Sequence, residues 1–174
     1  MPVVTIGSLG EGEFLSDHLL YISQQKARDL SAYALVPGDI VFSRVADVGR
    51  SVVIREGQAG WVMSSNMMRI SLDPERAVPD YVRLNIAAHP GIRRQIRQHV
   101  NAGGRDVANQ KVLNAIRFPW PEVEEQRRIV SAVEVSQAAL TEQRRKLDKL
   151  HRLKTGLMQS LLHGRARVPA PVPA

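Results

Sequence analysis

Between Arg83 and Arg117 the chain carries seven lysines and arginines against one acid, Asp106, with His89 and His99 in the same stretch. Such a stretch is suited to polyanion binding, because guanidinium groups pair with phosphate oxygens and release condensed counterions. Carboxamides add a second capability: Asn and Gln pair an adenine edge bidentately, and Arg pairs guanine. Arg93, Arg94, Arg97, Arg105 and Lys111 are therefore candidate phosphate contacts, and Arg105, Asn109 and Gln110 candidate base-edge contacts. Arg44 and Arg50 flank a turn that can face the same ligand, although Asp39 and Arg44 are equally suited to an internal ion pair. The bland alternative for Arg93, Arg94 and Arg97 is an ordinary wet helix face. The net charge is +7, but its distribution is what counts. Residues before Arg83 are near balance, and the ten basic and six acidic residues after Pro121 interleave as on a solvated face.

Nothing in the sequence nominates a catalytic residue. There is no cysteine, which removes disulfides, thiolate nucleophiles and cysteine-based zinc sites. There is no Gly-rich loop ending in Gly-Lys-Ser/Thr. The Asn/Asp-Pro-Pro-aromatic tetrapeptide of amino-methyltransferases is missing as well. The five histidines lack metal-ligand spacing, and Glu124-Glu125 sit where helix capping explains them. The expectation is a non-catalytic chain with no metal and no cofactor of its own. Apolar runs fall far short of the ~20 residues that span a bilayer. The first residues carry neither a basic n-region nor an apolar h-region, so a cytoplasmic location without a signal peptide is expected.

The elements that must position these side chains fall into two grammars, divided at 119/120. Residues 1–119 mix short β-type runs with Gly, Pro and Asp punctuation: Val3–Ile6, Asp39–Phe42, Ser51–Arg55, Gly60–Met63 and Met67–Ile70. Helices are expected over Ser23–Ser31, Pro79–Ala88 and Ile92–Val100. In the last, Ile92, Ile96 and Val100 share one apolar face and the three arginines fall off it. Gly103-Gly104 marks a flexible loop, followed by a short segment with Val107, Val112, Leu113 and Ile116. The reading is an α+β domain with an antiparallel or mixed sheet.

Residues 120–164 read differently. Pro121 can occupy the first turn of a helix, and no further proline interrupts the chain before His163-Gly164. A helix of about forty residues would be roughly 60 Å long. Apolar side chains repeat along it at alternating steps of three and four: Ile129, Val133, Leu140, Leu147, Leu150, Leu157 and Leu161, with polar Ser136 and Gln143, and Lys154 or Leu153, in the same stripe. That narrow stripe is a coiled-coil seam, which calls for a partner helix. Residues 165–174 are Pro/Ala-rich and read as a disordered tail.

Three stretches together resemble the specificity subunit of type I restriction–modification systems. Leu35–Arg50 (LVPGDIVFSRVADVGR) is similar to that family's Gly-Asp-Ile strand and Gly-Arg turn. Asn101–Pro121 (NAGGRDVANQKVLNAIRFPWP) is similar to its Gly-rich loop, short helix and proline-rich exit. Glu125–Val168, with Glu-Gln-Arg-Arg-Ile-Val, Lys-x-Gly-Leu-Met and a closing Gly-Arg, looks like its conserved helix. The resemblance implies a target-recognition domain that reads half of a split site in double-stranded DNA. It implies a helix paired antiparallel with a second such helix, supplied by a second copy or by another half-subunit. It further implies docking to methyltransferase subunits, which hold S-adenosylmethionine, and an ATP-dependent restriction subunit in the full complex. The family's subunit has two recognition domains and two helices where one of each is seen here, and a stretch usually precedes the segment matching Pro2–Ile22. The competing expectation is a coiled-coil adaptor or remnant that modulates assembly without reading DNA.

Overall fold

The computed structural model describes residues 1–45, 48–101, 107–165 and 167. The chain divides into two compact units, Met1–Val130 and Ser131–Ala174.

The first unit is built around β3 (Ile40–Ser43), every residue of which is buried. A run apolar on both faces requires cover on both sides, because successive side chains point to opposite faces. Ile40 and Phe42 enter one core cluster and Val41 the other. The neighbours repeat this division. In β4 (Ser51–Val53), Val53 joins the first cluster and Val52 the second. In β6 (Met67–Ile70), Met68 and Ile70 face the first and Met67 the second. Both strands pair antiparallel with β3, giving the order β4-β3-β6.

A second three-stranded sheet covers the Val41 side. Here β1 (Pro2–Val4) pairs antiparallel with β2 (Leu20–Tyr21) and parallel with β5 (Val62–Met63). The antiparallel or mixed sheet expected from the sequence is thus built as two small sheets, one antiparallel and one mixed. The Val3–Ile6 run ends as a strand at Val4, because Ile6–Ser8 turns into a 3-10 helix. The turn that feeds β3 is set by Pro37-Gly38. Asp39 N–H donates to the Val36 carbonyl, and Gly38 takes φ +90°, which a side chain would resist.

Helices cover the Ile40/Phe42 side. A short α1 (Gln24–Asp29), capped by Ser23, lies apart from them. α2 (Pro79–Ala88) packs against β4 and α3, and α3 (Pro90–Asn101) packs against α4 (Gln110–Ala115). Tyr81, Val82, Ile86, Ile92, Ile96, Val100 and Val112 fill the shared core.

The long helix α5 runs Val123–Leu162, forty residues. It starts two residues after Pro121, so that proline precedes the first turn. Its first turns belong to the first unit, because Gln126 is fully buried and Val130 nearly so. Gln126 makes three hydrogen bonds: its oxygen accepts from Val78 N–H at 2.9 Å, and its amide donates to the Arg76 and Pro121 carbonyls at 3.2 and 2.9 Å. Tyr81 holds the segment before it, donating to the Pro119 carbonyl at 2.8 Å. In the second unit the helix continues with Leu140, Leu147, Leu150, Leu157 and Leu161 exposed and ends ahead of Gly164, whose φ of +69° suits glycine at a helix C-terminus. Gly103-Gly104 and most of the 165–174 tail lie outside the described residues.

Candidate nucleic-acid interface

The 3.6-residue period of α3 separates its two jobs. Ile92, Ile96 and Val100 are buried, while Arg93, Arg94, Arg97 and His99 are exposed on the remaining arc. A bidentate latch fixes this helix: Gln95 donates to the Arg117 carbonyl and accepts from Arg117 N–H, both at 2.8 Å. The arginines therefore stand on an element held at its apolar face and at its flank.

The other cations of the stretch divide by use. Arg83 is half-buried against the Gly12 turn, where an added Cβ would come within 2.9 Å of its guanidinium. Burial lowers its pKa, Asp80 opposes the shift and Arg55 adds to it. Arg117 donates to the Asn114 and Ile116 carbonyls beside it. Arg93 donates to the Ala87 carbonyl at 3.1 Å yet remains exposed. Arg94, Arg97 and Lys111 are exposed. Arg105 lies outside the described residues.

Two candidate arginines carry structural duties. Arg44 Nε donates to the Ala108 carbonyl at 3.3 Å and Nη1 to the Ser65 carbonyl at 3.4 Å, while Ala108 N–H donates back to the Arg44 carbonyl at 2.8 Å. It thereby joins the exit of β3 to the entry of α4. Arg50 Nη1 donates to the Leu9 carbonyl at 3.2 Å. The proposed Asp39–Arg44 ion pair does not form. Asp39 is buried and accepts from Val36 N–H and the Ser71 hydroxyl, with Arg69 Nε at 4.0 Å. Strand alternation explains the exchange, since Arg69 stands opposite Val41 in the ladder and on the second-cluster face, within reach of Asp39.

Around α4, Asn109 is the N-cap: its side-chain oxygen accepts from Val112 N–H at 3.1 Å. The cap accounts for an Asn at this position without a ligand. Gln110 lies exposed at the start of the helix, on an open cleft of about 550 Å³. Asn114 of α4, Arg69 of β6, and the aromatic pair Phe118 and Trp120 line the same cleft. The two rings stand 5.4 Å apart and tilted, and Trp120 is half exposed. Asn114 and Trp120 were not singled out from the sequence, where Trp120 reads only as part of a rigid proline-flanked entry. Among the described residues no group of three or more His, Asp or Glu side chains is placed to hold a metal. No described helix is long and apolar enough to cross a membrane.

The family model described as the type I restriction modification DNA specificity domain matches residues 1–151. The chain belongs to this family. Subunits of this kind set specificity and do not catalyse. A Methanocaldococcus jannaschii protein, provisionally named as the specificity subunit of the type I restriction enzyme MjaX, is 22% identical over 165 residues. The match takes in 92% of this chain and 38% of that protein. The fold is that of the HsdS subunit from Thermoanaerobacter tengcongensis, with a TM-score of 0.71 at 22% identity, over 99% of this chain and 45% of that one. A second solved chain, from work on complex assembly and conformational transition of the type I R-M system, gives a TM-score of 0.72 at 23% identity and the same coverage. The chain thus spans less than half the length of these relatives.

Proposed function

We propose that residues 1–119 read one half of a bipartite site in duplex DNA, directing partner methyltransferase and restriction subunits without catalysing anything themselves. The observation that carries this reading is the exposed arginine arc of α3, held by its buried Ile92-Ile96-Val100 face, in a chain of the specificity-domain family. Arg93, Arg94, Arg97 and Lys111 contact phosphates and set register, together with Arg105. Gln110, and the part of Asn109 not used in capping, face base edges. Arg44 and Arg50 act by bracing the strand and turn beneath.

In the same proposal residues 120–164 are the spacer helix, which pairs with a second copy or another half-subunit and docks the methyltransferase subunits. The seam supports an antiparallel pair. Setting residue numbers across the pair to sum to 290 joins Ile129 to Leu161, Val133 to Leu157 and Leu140 to Leu150. The polar seam residues then meet as Ser136 with Lys154 and Gln143 with Leu147. A shift by one heptad to a sum of 297 leaves Ile129 without a seam partner on the helix and sets Ser136 against Leu161.

Duplex binding by the chain with its modification subunit tests the reading. Random duplexes selected by the complex should enrich one sequence, and binding should weaken steeply with salt. Charge reversal by Arg93→Glu, Arg94→Glu and Arg97→Glu should abolish binding while subunit assembly persists. Absence of any sequence preference refutes recognition. Unchanged DNA binding by the triple variant favours an adaptor that works through the exposed seam alone.

A further inference from the structure

The stretch of α5 from Arg144 to Lys154 has a charge pattern of its own. From Arg144 to Lys154 there are six basic residues, Arg144, Arg145, Lys146, Lys149, Arg152 and Lys154, against one acid, Asp148. Arg145, Lys149 and Arg152 stand at i, i+4 and i+7. At about 100° per residue they fall within about 40° of the direction opposite the seam. All three are exposed. Arg145 and Lys146 share Glu142 at 4.0 and 3.9 Å, exposed pairs of little energetic weight. Among the described residues Lys149 and Arg152 have no carboxylate within 4.0 Å.

We propose that this face grips the phosphate backbone of the bound duplex between its two half-sites, as a sequence-independent contact additional to the recognition domain. The inference rests on the DNA reading and the antiparallel pairing proposed above. In that register Arg144 and Lys146 of one helix come level with Lys146 and Arg144 of its mate, so the two basic clusters adjoin. Their combined span, residues 136–154 of each copy, is about 27 Å of helix. A duplex presents about 16 phosphate charges over that length, against twelve cations from two copies of the six-residue cluster. The join also places like charges side by side at the centre of the pair, a repulsion that a polyanion offsets and a neutral partner does not. Arg145, Lys149 and Arg152 lie away from the seam, so pairing leaves them available.

The test uses the full chain assembled with its modification subunit and the variant Arg145→Gln/Lys149→Gln/Arg152→Gln, which touches neither the seam nor α3. Affinity for a 40-bp random duplex is followed from 50 to 200 mM salt. Each phosphate contact contributes about 0.9 to the slope of log affinity against log salt. Loss of three should reduce the slope by about 2.7 per chain, so that over this range the variant complex loses about 40-fold less affinity for each copy it contains. Enrichment of the selected sequence should be unchanged. A native slope in the variant overturns the proposal. So does loss of subunit assembly with an unchanged slope in the complexes that remain, which would assign the face to an acidic protein surface. The failure of half-site reading is separately visible, as native complexes that enrich no sequence while the slope still responds.

Discussion

Gln126 offers the most direct check on how the long helix is joined to the recognition unit. It is fully buried, and its carboxamide satisfies one backbone N–H and two backbone carbonyls, at Val78, Arg76 and Pro121. Gln126→Met keeps the length of the side chain and removes all three bonds. The orphaned Val78 N–H costs about 1–3 kcal/mol, and each carbonyl losing its donor about 0.5–1.5 kcal/mol. The thioether recovers part of this by burying apolar surface, leaving an expected loss of about 3 kcal/mol. Against a total stability of about 5–15 kcal/mol for a domain, that is a large shift. Gln126→Glu separates hydrogen bonding from shape. The introduced carboxylate can still accept from Val78 but faces two carbonyl oxygens while desolvated, so its folded-state pKa is raised above the ordinary value near 4.3. A group raised on folding contributes stability below its unfolded pKa and loses it as pH rises through the folded value. The Glu variant should therefore approach the native protein near pH 4 and fall progressively behind toward pH 7. Urea denaturation followed by the fluorescence of Trp61 and Trp120, both in the first unit, reads these differences. A loss below 1 kcal/mol in Gln126→Met, or a Glu variant whose deficit is the same at pH 4 and pH 7, would refute the account of Gln126 as a hydrogen-bonded clip.

Two further perturbations address the core and the seam. Asp39→Ala removes the acceptor for Val36 N–H and the Ser71 hydroxyl in a buried setting, and should lower the urea-derived stability by about 2–4 kcal/mol; an effect within 0.5 kcal/mol would mean that the turn before β3 does not depend on the carboxylate. Leu147→Glu with Leu157→Glu places charges in the proposed helix interface while both positions are exposed in the single chain. Sedimentation should then show monomers with unchanged helix content, and dimers that persist would put the interface elsewhere.

The long helix was legible because its signals are local: no internal proline, and a strict alternation of three- and four-residue steps from Ile129 to Leu161. The arginine face of α3 was legible for the same reason, since burying Ile92, Ile96 and Val100 leaves the arginines outward whatever lies opposite. The division into two sheets was not. β2 is two exposed residues, Leu20 and Tyr21, with no alternation to read, and β1 finds its parallel partner β5 some sixty positions away. The continuous apolar run of β3 announces burial on both faces but not what covers either. The hydrogen-bond duties of Arg44, Asn109 and Gln126 were equally hidden, because most of their partners are backbone groups, which carry no sequence signature. The expected Asp39–Arg44 ion pair was wrong, because Arg44 is spent on backbone carbonyls. The partner of Asp39, Arg69, became evident only from the ladder register between β3 and β6.

The polar residues in the seam follow a logic that bears on how such a chain chooses its partner. An all-leucine stripe would pair almost as well after a slip of one heptad, and in parallel as readily as antiparallel. Ser136, Gln143 and Lys154 make those alternatives unequal. At a sum of 290 Lys154 lies level with Ser136, where its long stem can carry the ammonium to the edge of the interface. In a parallel, in-register pair Lys154 would meet its own copy, and Gln143 and Ser136 would stack in like layers. Two ammonium groups in one layer are costly, whereas a glutamine opposite Leu147 costs less. In the proposed pairing, the affinity sacrificed at these layers is exchanged for direction and register. The same reasoning leaves room for a different half-subunit as mate. A helix offering acids level with Arg144 and Lys146 would remove the central repulsion that a second copy must carry, and would outcompete it at low salt when no DNA is present.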